Sequence, residues 1–157
     1  MGEIFLAGEF SVTLDEKGRI SLPASLRRVL NETTLFLTEG MENCLWLYPP
    51  SEWDKLMKIV MDNSNPFSAK SRNLRRRFIG PSQEIEIDKA GRIPIAQSLR
   101  DYADLQKDCV VVGQAEYIEI WNEAAYREYK AANKDEFDAA SEEVGNRLLN
   151  NRGINEE

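Results

Sequence analysis

Hydrophobic and polar residues alternate with period two over Phe10-Ser11-Val12-Thr13-Leu14 and again over Glu84-Ile85-Glu86-Ile87, the pattern of strands with one buried face. Each run leads into an Asp-x-x-Gly-Arg segment, Asp15 to Arg19 and Asp88 to Arg92. That segment predicts a tight turn, because an aspartate caps its own following backbone and glycine accepts positive φ. Ile20-Ser21-Leu22 and Ile93-Pro94-Ile95 then alternate as returning strands, so the pattern predicts two hairpins with an arginine at each tip. Short helices are expected over 23–30 and 96–102. Leu35-Phe36-Leu37 and Cys109-Val110-Val111-Val112 read as buried strands, with Cys44 to Tyr48 and Tyr117 to Trp121 as antiparallel partners. A capping-box-like start at Ser51-Glu52-Trp53-Asp54 precedes Trp53, Leu56, Met57 and Val60 at helical spacing. Asn122 is placed to cap a matching helix that carries Tyr126 and Tyr129. Asn63-Ser64-Asn65-Pro66 breaks the chain, and a helix over 66–79 is expected to stop at Gly80-Pro81. A last helix is expected over 136–149, with frayed residues after it.

The two hairpins are copies of one sequence. Residues 15–27 and 88–100 agree at seven of thirteen positions, at an offset of 73. The same offset matches Gly40 to Gly113, Leu45 to Ile118, Leu47 to Ile120, Tyr48 to Trp121 and Trp53 to Tyr126, and is expected to run on without a gap. Two copies are fewer than a solenoid needs, so they predict one pseudo-twofold domain in which each half completes the other's core. The expected organisation is a first copy over 7–54, a basic helical linker over 55–80, a second copy over 81–127 and an acidic C-terminal helix and tail over 128–157.

Composition narrows the chemistry. The 157 residues suit one domain, and 42% hydrophobic with 30% charged residues is the balance of a soluble chain with a core. No apolar run is long enough to span a bilayer. Met1-Gly2-Glu3 does not read as the start of a signal peptide, and the cytosol is the expected compartment. Histidine is absent, which removes the commonest general base and metal ligand. Cys44 and Cys109 lack metal-ligand spacing and do not match across the copies, and no spacing of carboxylates picks out an acid/base pair. The expectation is no enzyme, no catalytic residue, no metal, no cofactor and no small-molecule substrate.

The net charge of −7 argues against a nucleic-acid partner until its distribution is read. Residues 116–157 hold 11 acidic and 5 basic residues, so the remainder is close to neutral and leaves room for a basic face.

Arg19 and Arg92 stand at equivalent positions directly after a glycine and four residues after an aspartate. One reading is an Asp–Arg salt bridge that pins each turn. Another is a guanidinium presented to phosphate oxygens or guanine edges, and the two are compatible. Asp15, Gly18, Asp88 and Gly91 would support the turns. Lys17 and Lys89 add one lysine per tip in non-equivalent places, and Arg27, Arg28 and Arg100 on the following helices extend a positive surface. The basic run Lys70 to Arg77 reads as a solvated helix face or a partner for the acidic C-terminal region, with DNA contact as the minority view. Trp46, Trp53, Trp121, Tyr48 and Tyr126 read as packing rather than base-stacking residues.

Together the doubled Asp-x-x-x-Arg motif, Gly8-Glu9-Phe10, Leu47-Tyr48-Pro49, Arg76-Arg77-Phe78 and Val112-Gly113-Gln114 resemble the MraZ family of the SpoVT/AbrB-like superfamily. Ser11 stands where that family often carries a histidine. The resemblance implies an α+β fold: a β-barrel core with packed helices, built as a pseudo-twofold, duplicated swapped-hairpin (double-split) AbrB-like barrel. It also implies a nucleoid-associated transcriptional regulator. Such a regulator forms a ring of identical subunits and binds repeated promoter elements of the division and cell-wall gene cluster in double-stranded DNA. The DNA-facing set would be Arg19, Arg92, Lys17, Lys89, Arg27, Arg28 and Arg100. The alternative is an AbrB-like interaction module or antitoxin whose acidic C-terminal region meets a protein partner.

Overall fold

The structure, a computed structural model, describes residues 4–156, and side chains as far as Arg152; Met1-Gly2-Glu3, on which the expectation of no signal peptide rests, lies outside the described residues. The chain divides into two compact units, one ending at Glu123 and one beginning at Ala124.

The first copy supplies strands β1 (Glu9–Thr13), β2 (Arg19–Ser21), β3 (Thr34–Glu39) and β4 (Leu45–Tyr48), with helix α1 (Ala24–Leu30) between β2 and β3. Helices α2 (Pro50–Asp62) and α3 (Ala69–Phe78) follow. The second copy supplies β5 (Gln83–Glu86), β6 (Arg92–Pro94), α4 (Gln97–Tyr102), β7 (Asp108–Gly113) and β8 (Ile118–Asn122).

Six strands form an antiparallel sheet in the order β1-β7-β8-β4-β3-β5, and β2 pairs with β6 in a separate two-stranded ribbon. Exchange of equivalent strands between the copies leaves this order unchanged, so the duplication in sequence is a pseudo-twofold axis in space. The axis passes through two antiparallel pairs, Trp46 with Glu119 and Ile20 with Ile93. In each pair a residue faces its own repeat equivalent.

The expected hairpins part at their turns. β1 pairs with β7 and β5 with β3, so each copy's first strand completes the other copy's sheet. Past the turn the chain leaves the sheet, and the two returning strands pair with each other. β1 and β5 lie at opposite ends of the sheet with no pairing between them among the described residues, so the architecture is mixed α+β on an open antiparallel sheet, not a closed barrel. Leu35, Leu37, Leu45, Leu47, Ile118 and Ile120 of the sheet are fully buried, and Leu26, Leu30 and Leu99 from α1 and α4 close the same core.

One register does not hold throughout. Asn31 and Asp104, 73 apart, share the left-handed conformation, with φ of 48° and 49°. Beyond them the Leu14 N–H donates to the Lys107 carbonyl, while the equivalent Ile87 N–H donates to that of Thr33, 74 positions before Lys107. The second copy thus carries one extra residue before β7, as burial of Leu35 and Leu37 beside Cys109 and Val111 requires. The next turn restores the offset: Gly40 N–H donates to the Cys44 carbonyl as Gln114 N–H does to that of Tyr117. Gly40 is therefore the counterpart of Gln114 rather than Gly113.

Element ends also differ from the sequence reading. α2 begins at Pro50, one residue before the expected cap, with Pro fitting a first helical turn whose N–H has no partner to lose. α3 starts only at Ala69, where the Ser68 side chain accepts the Ser71 N–H at 3.3 Å. Thr38, buried in β3, anchors the other end of α3 by donating to the Phe78 carbonyl.

The second unit holds the rest of α5 (Glu123–Ala132) and all of α6 (Lys134–Glu156). Helix continues through residues 150–156, where frayed ends were expected. Within this unit Tyr129 meets the edge of Phe137, and Lys134–Asp138 and Arg147–Glu143 are exposed i,i+4 pairs. Among the described residues no helix is long and apolar enough to cross a membrane.

Candidate nucleic-acid interface

The two tips are built alike. The Asp15 carboxylate accepts the backbone N–H groups of Lys17 and Arg19 on Oδ1 and the Arg19 Nε–H on Oδ2, each at 2.9 Å. Asp88 accepts from Ala90, Arg92 and Arg92 Nε–H, again at 2.9 Å. Gly18 and Gly91, at φ of 76° and 82°, make the reversal that lets the chain return to its aspartate. The backbone N–H of Arg19, with the Arg19 guanidinium and the Lys17 N–H behind it, holds the Asp15 carboxyl below the usual carboxylate range. The same groups of Arg92 and Ala90 do so at Asp88.

The salt-bridge reading is thus observed, and it leaves the arginines usable. Their side chains are 26% and 36% exposed, and only Nε is engaged. Among the described residues nothing accepts from the terminal nitrogens of Arg19 or Arg92, so each tip presents the two-pronged end of a guanidinium whose direction is set by a carboxylate behind it.

The tips are also interlocked. Leu22 N–H donates to the Gly91 carbonyl and Ile95 N–H to the Gly18 carbonyl, each at 2.9 Å. The Arg27 guanidinium lies where a Cβ on Gly91 would sit, with its Cζ 2.6 Å from that point, and Arg100 occupies the same place over Gly18. Each helix arginine therefore covers the other copy's tip. Sequence reading placed Arg27 and Arg100 on a positive surface but missed this crossing. The sequence showed that the two arginines are equivalent, since both close the thirteen-residue match, but not that each reaches across to the other copy.

Lys17, Lys89 and Arg28 are exposed beside these residues. The basic run lies on α3, where part of its charge is committed. Arg77 donates to the Tyr102 hydroxyl at 2.6 Å and lies 3.7 Å from Glu39, and Arg75 donates to Ser64. Trp46, Tyr48, Trp53 and Trp121 are buried, so they pack rather than offer faces for stacking. Tyr48 stacks on Tyr117, and Trp46 on Phe78.

Both cysteines are buried and unpaired with each other. Burial pushes the Cys44 thiol far up and that of Cys109 to about 11, so both stay protonated at neutral pH. Glu42, Cys44 and Glu119 bring ligand-type atoms within 4.8 Å of one another, a grouping that sequence spacing did not reveal. Glu119 Oε1 there accepts from Gln114 Nε2 and Trp121 Nε1, a polar network within the fold.

Fold and site together define a class: an α+β chain of two strand-exchanged copies, each bearing a carboxylate-braced arginine tip. A family model described as "MraZ protein, putative antitoxin-like" matches residues 5–78 and again 78–148. The chain belongs to the MraZ family. Proteins named Transcriptional regulator MraZ are similar along most of their length. That of Treponema pallidum (strain Nichols) is 45% identical over 86% of this chain and 91% of its own. That of Treponema denticola is 42% identical over 89% and 97%, and that of Natranaerobius thermophilus 36% over 87% and 94%. The solution structure of PHS018 from Pyrococcus horikoshii covers 74% of this chain and 87% of its own at 17% identity and a TM-score of 0.32, too loose a likeness to carry an argument.

Proposed function

We propose that this chain is a sequence-specific, DNA-binding transcriptional regulator, cytoplasmic and nucleoid-associated, that meets double-stranded DNA through its two arginine tips. The observation that carries the proposal is the repeated geometry: Arg19 and Arg92 are each fixed by one aspartate through Nε, while their terminal nitrogens meet no acceptor among the described residues. The names of the relatives support a regulator, which is not an enzyme class.

Lys17, Lys89, Arg27, Arg28 and Arg100 extend the surface, and Asp15, Gly18, Asp88 and Gly91 hold its shape. The strand exchange supports a swapped-hairpin, AbrB-like arrangement with copies over 7–54 and 81–127, a basic linker over 55–80 and an acidic tail over 128–157. A single tip supplies little affinity, because each phosphate contact adds a modest, salt-dependent increment. A ring of identical subunits multiplies those contacts on direct promoter repeats of the division and cell-wall cluster, which lets an acidic chain bind through one basic face.

Fluorescence anisotropy with DNA from upstream of the protein's own gene tests the proposal. Binding that prefers this duplex to a scrambled one and is lost in Arg19→Ala/Arg92→Ala supports it; equal binding by the double variant overturns it. A second reading, an interaction module acting on a protein partner, is favoured by α6, where Phe137, Val144, Leu148 and Leu149 are 47–66% exposed. Light scattering separates the two: a ring fits the regulator, a dimer the module.

A further inference from the structure

The two tips share their backbone but not their charge. α4 lies against the first tip and α1 against the second, since Arg100 covers Gly18 and Arg27 covers Gly91. Each site has the same aspartate, tip arginine and covering arginine. The remaining equivalent positions diverge: Glu16 stands where the second site has Lys89, Asp101 where it has Arg28 and Asp104 where it has Asn31, offset only by Lys17 against Ala90.

Over these positions the first site carries a net charge of −1 and the second +3. Glu16, Asp101 and Asp104 line one depression of about 450 Å3 with Asp15 and Arg100. The counterpart, about 430 Å3, is lined by Arg27, Asn31, Glu32 and Asp88. Adding the loop beyond, where Glu32 and Lys107 fall, narrows the contrast to two charges and keeps its sign.

We infer that the tips are unequal partners in DNA binding: the second, with Arg92, Lys89, Arg27 and Arg28, supplies most of the phosphate attraction, and the first is held weak by Glu16, Asp101 and Asp104. This rests on the regulator reading above. Like charges around a contact raise the local potential felt by a phosphate, and carboxylates beside it cancel the gain. The acids at the first tip also repel phosphates that its arginine does not reach directly, so binding there depends more on fit and less on charge.

The same anisotropy assay separates this inference from its foundation. At about 20 mM salt, Arg92→Ala weakens binding about tenfold more than Arg19→Ala, and the difference shrinks to about threefold near 150 mM as screening sets in. Asp101→Arg/Asp104→Asn gives the first site the second site's residues at these two positions. Both side chains are exposed, and Asn already holds the equivalent left-handed position, so the fold is retained. This variant tightens binding about tenfold at low salt and steepens the salt dependence. Equal losses in the two single variants, a larger loss in Arg19→Ala, or unchanged affinity in the Asp101/Asp104 variant overturns the inequality. If the Arg19/Arg92 double variant binds like wild type, the regulator reading itself fails.

Discussion

Truncation of Ile20 to alanine probes the point where the copies are joined. Ile20 pairs directly with Ile93 on the pseudo-twofold axis, and neither exposes any surface. The change deletes three buried carbons, worth about 0.8 kcal/mol each in lost transfer free energy, or roughly 2.4 kcal/mol. The surrounding strands are hydrogen-bonded and cannot collapse fully, so a residual void of roughly 80 Å3 costs about another 2 kcal/mol. The expected loss is about 4 kcal/mol, against a total of about 5–15 kcal/mol for an ordinary domain. Ile93→Ala loses the same within about 1 kcal/mol, because the two side chains share one environment. The double variant loses less than the sum, since the two voids merge. Urea unfolding followed by far-UV circular dichroism, at one fixed protein concentration, reads all three. A loss below about 1 kcal/mol for either single variant, or strict additivity in the double, would refute the interlocked core.

Other consequences concern the tips. Gly18→Ala or Gly91→Ala forces an L side chain to a φ near 80° and displaces a covering guanidinium, so each is expected to cost about 1–2 kcal/mol in the same unfolding experiment. Asp15 and Asp88 have carboxyls held below the ordinary value of about 3.9, so their stabilisation is complete above that value and is lost as the pH falls through the lower folded-state value. Unfolding measured from pH 6 down to pH 3 should show a fall below about pH 4 that is smaller in Asp15→Asn/Asp88→Asn.

Much of this is legible in the sequence. The offset of 73 announced the twofold, because residues that must face their own equivalents across an axis come from matching segments, as Ile20 and Ile93 do. Asp-x-x-Gly-Arg announced the tips, since that turn is stabilised locally by its own aspartate. What stayed hidden depends on distant parts of the chain. Period-two alternation gives a strand its buried face and not its neighbour, so the pairing of β1 with β7 could not be read. The one-residue slip before β7 was masked because the turn after Gly113 cancels it. The crossing of Arg27 and Arg100 over opposite glycines follows from the strand exchange and was invisible without it.

Arg19 and Arg92 are proposed to meet phosphate-bearing DNA from braced tips. The most direct measurement is the slope of log affinity against log salt for wild type and for Arg19→Ala/Arg92→Ala, on DNA from upstream of the gene. Each lost phosphate contact removes about 0.9 from the slope, so the double variant is expected to bind more weakly with a slope shallower by about 1.8 per engaged subunit. Equal slopes and equal affinities would contradict the claim and place any DNA contact elsewhere on the molecule.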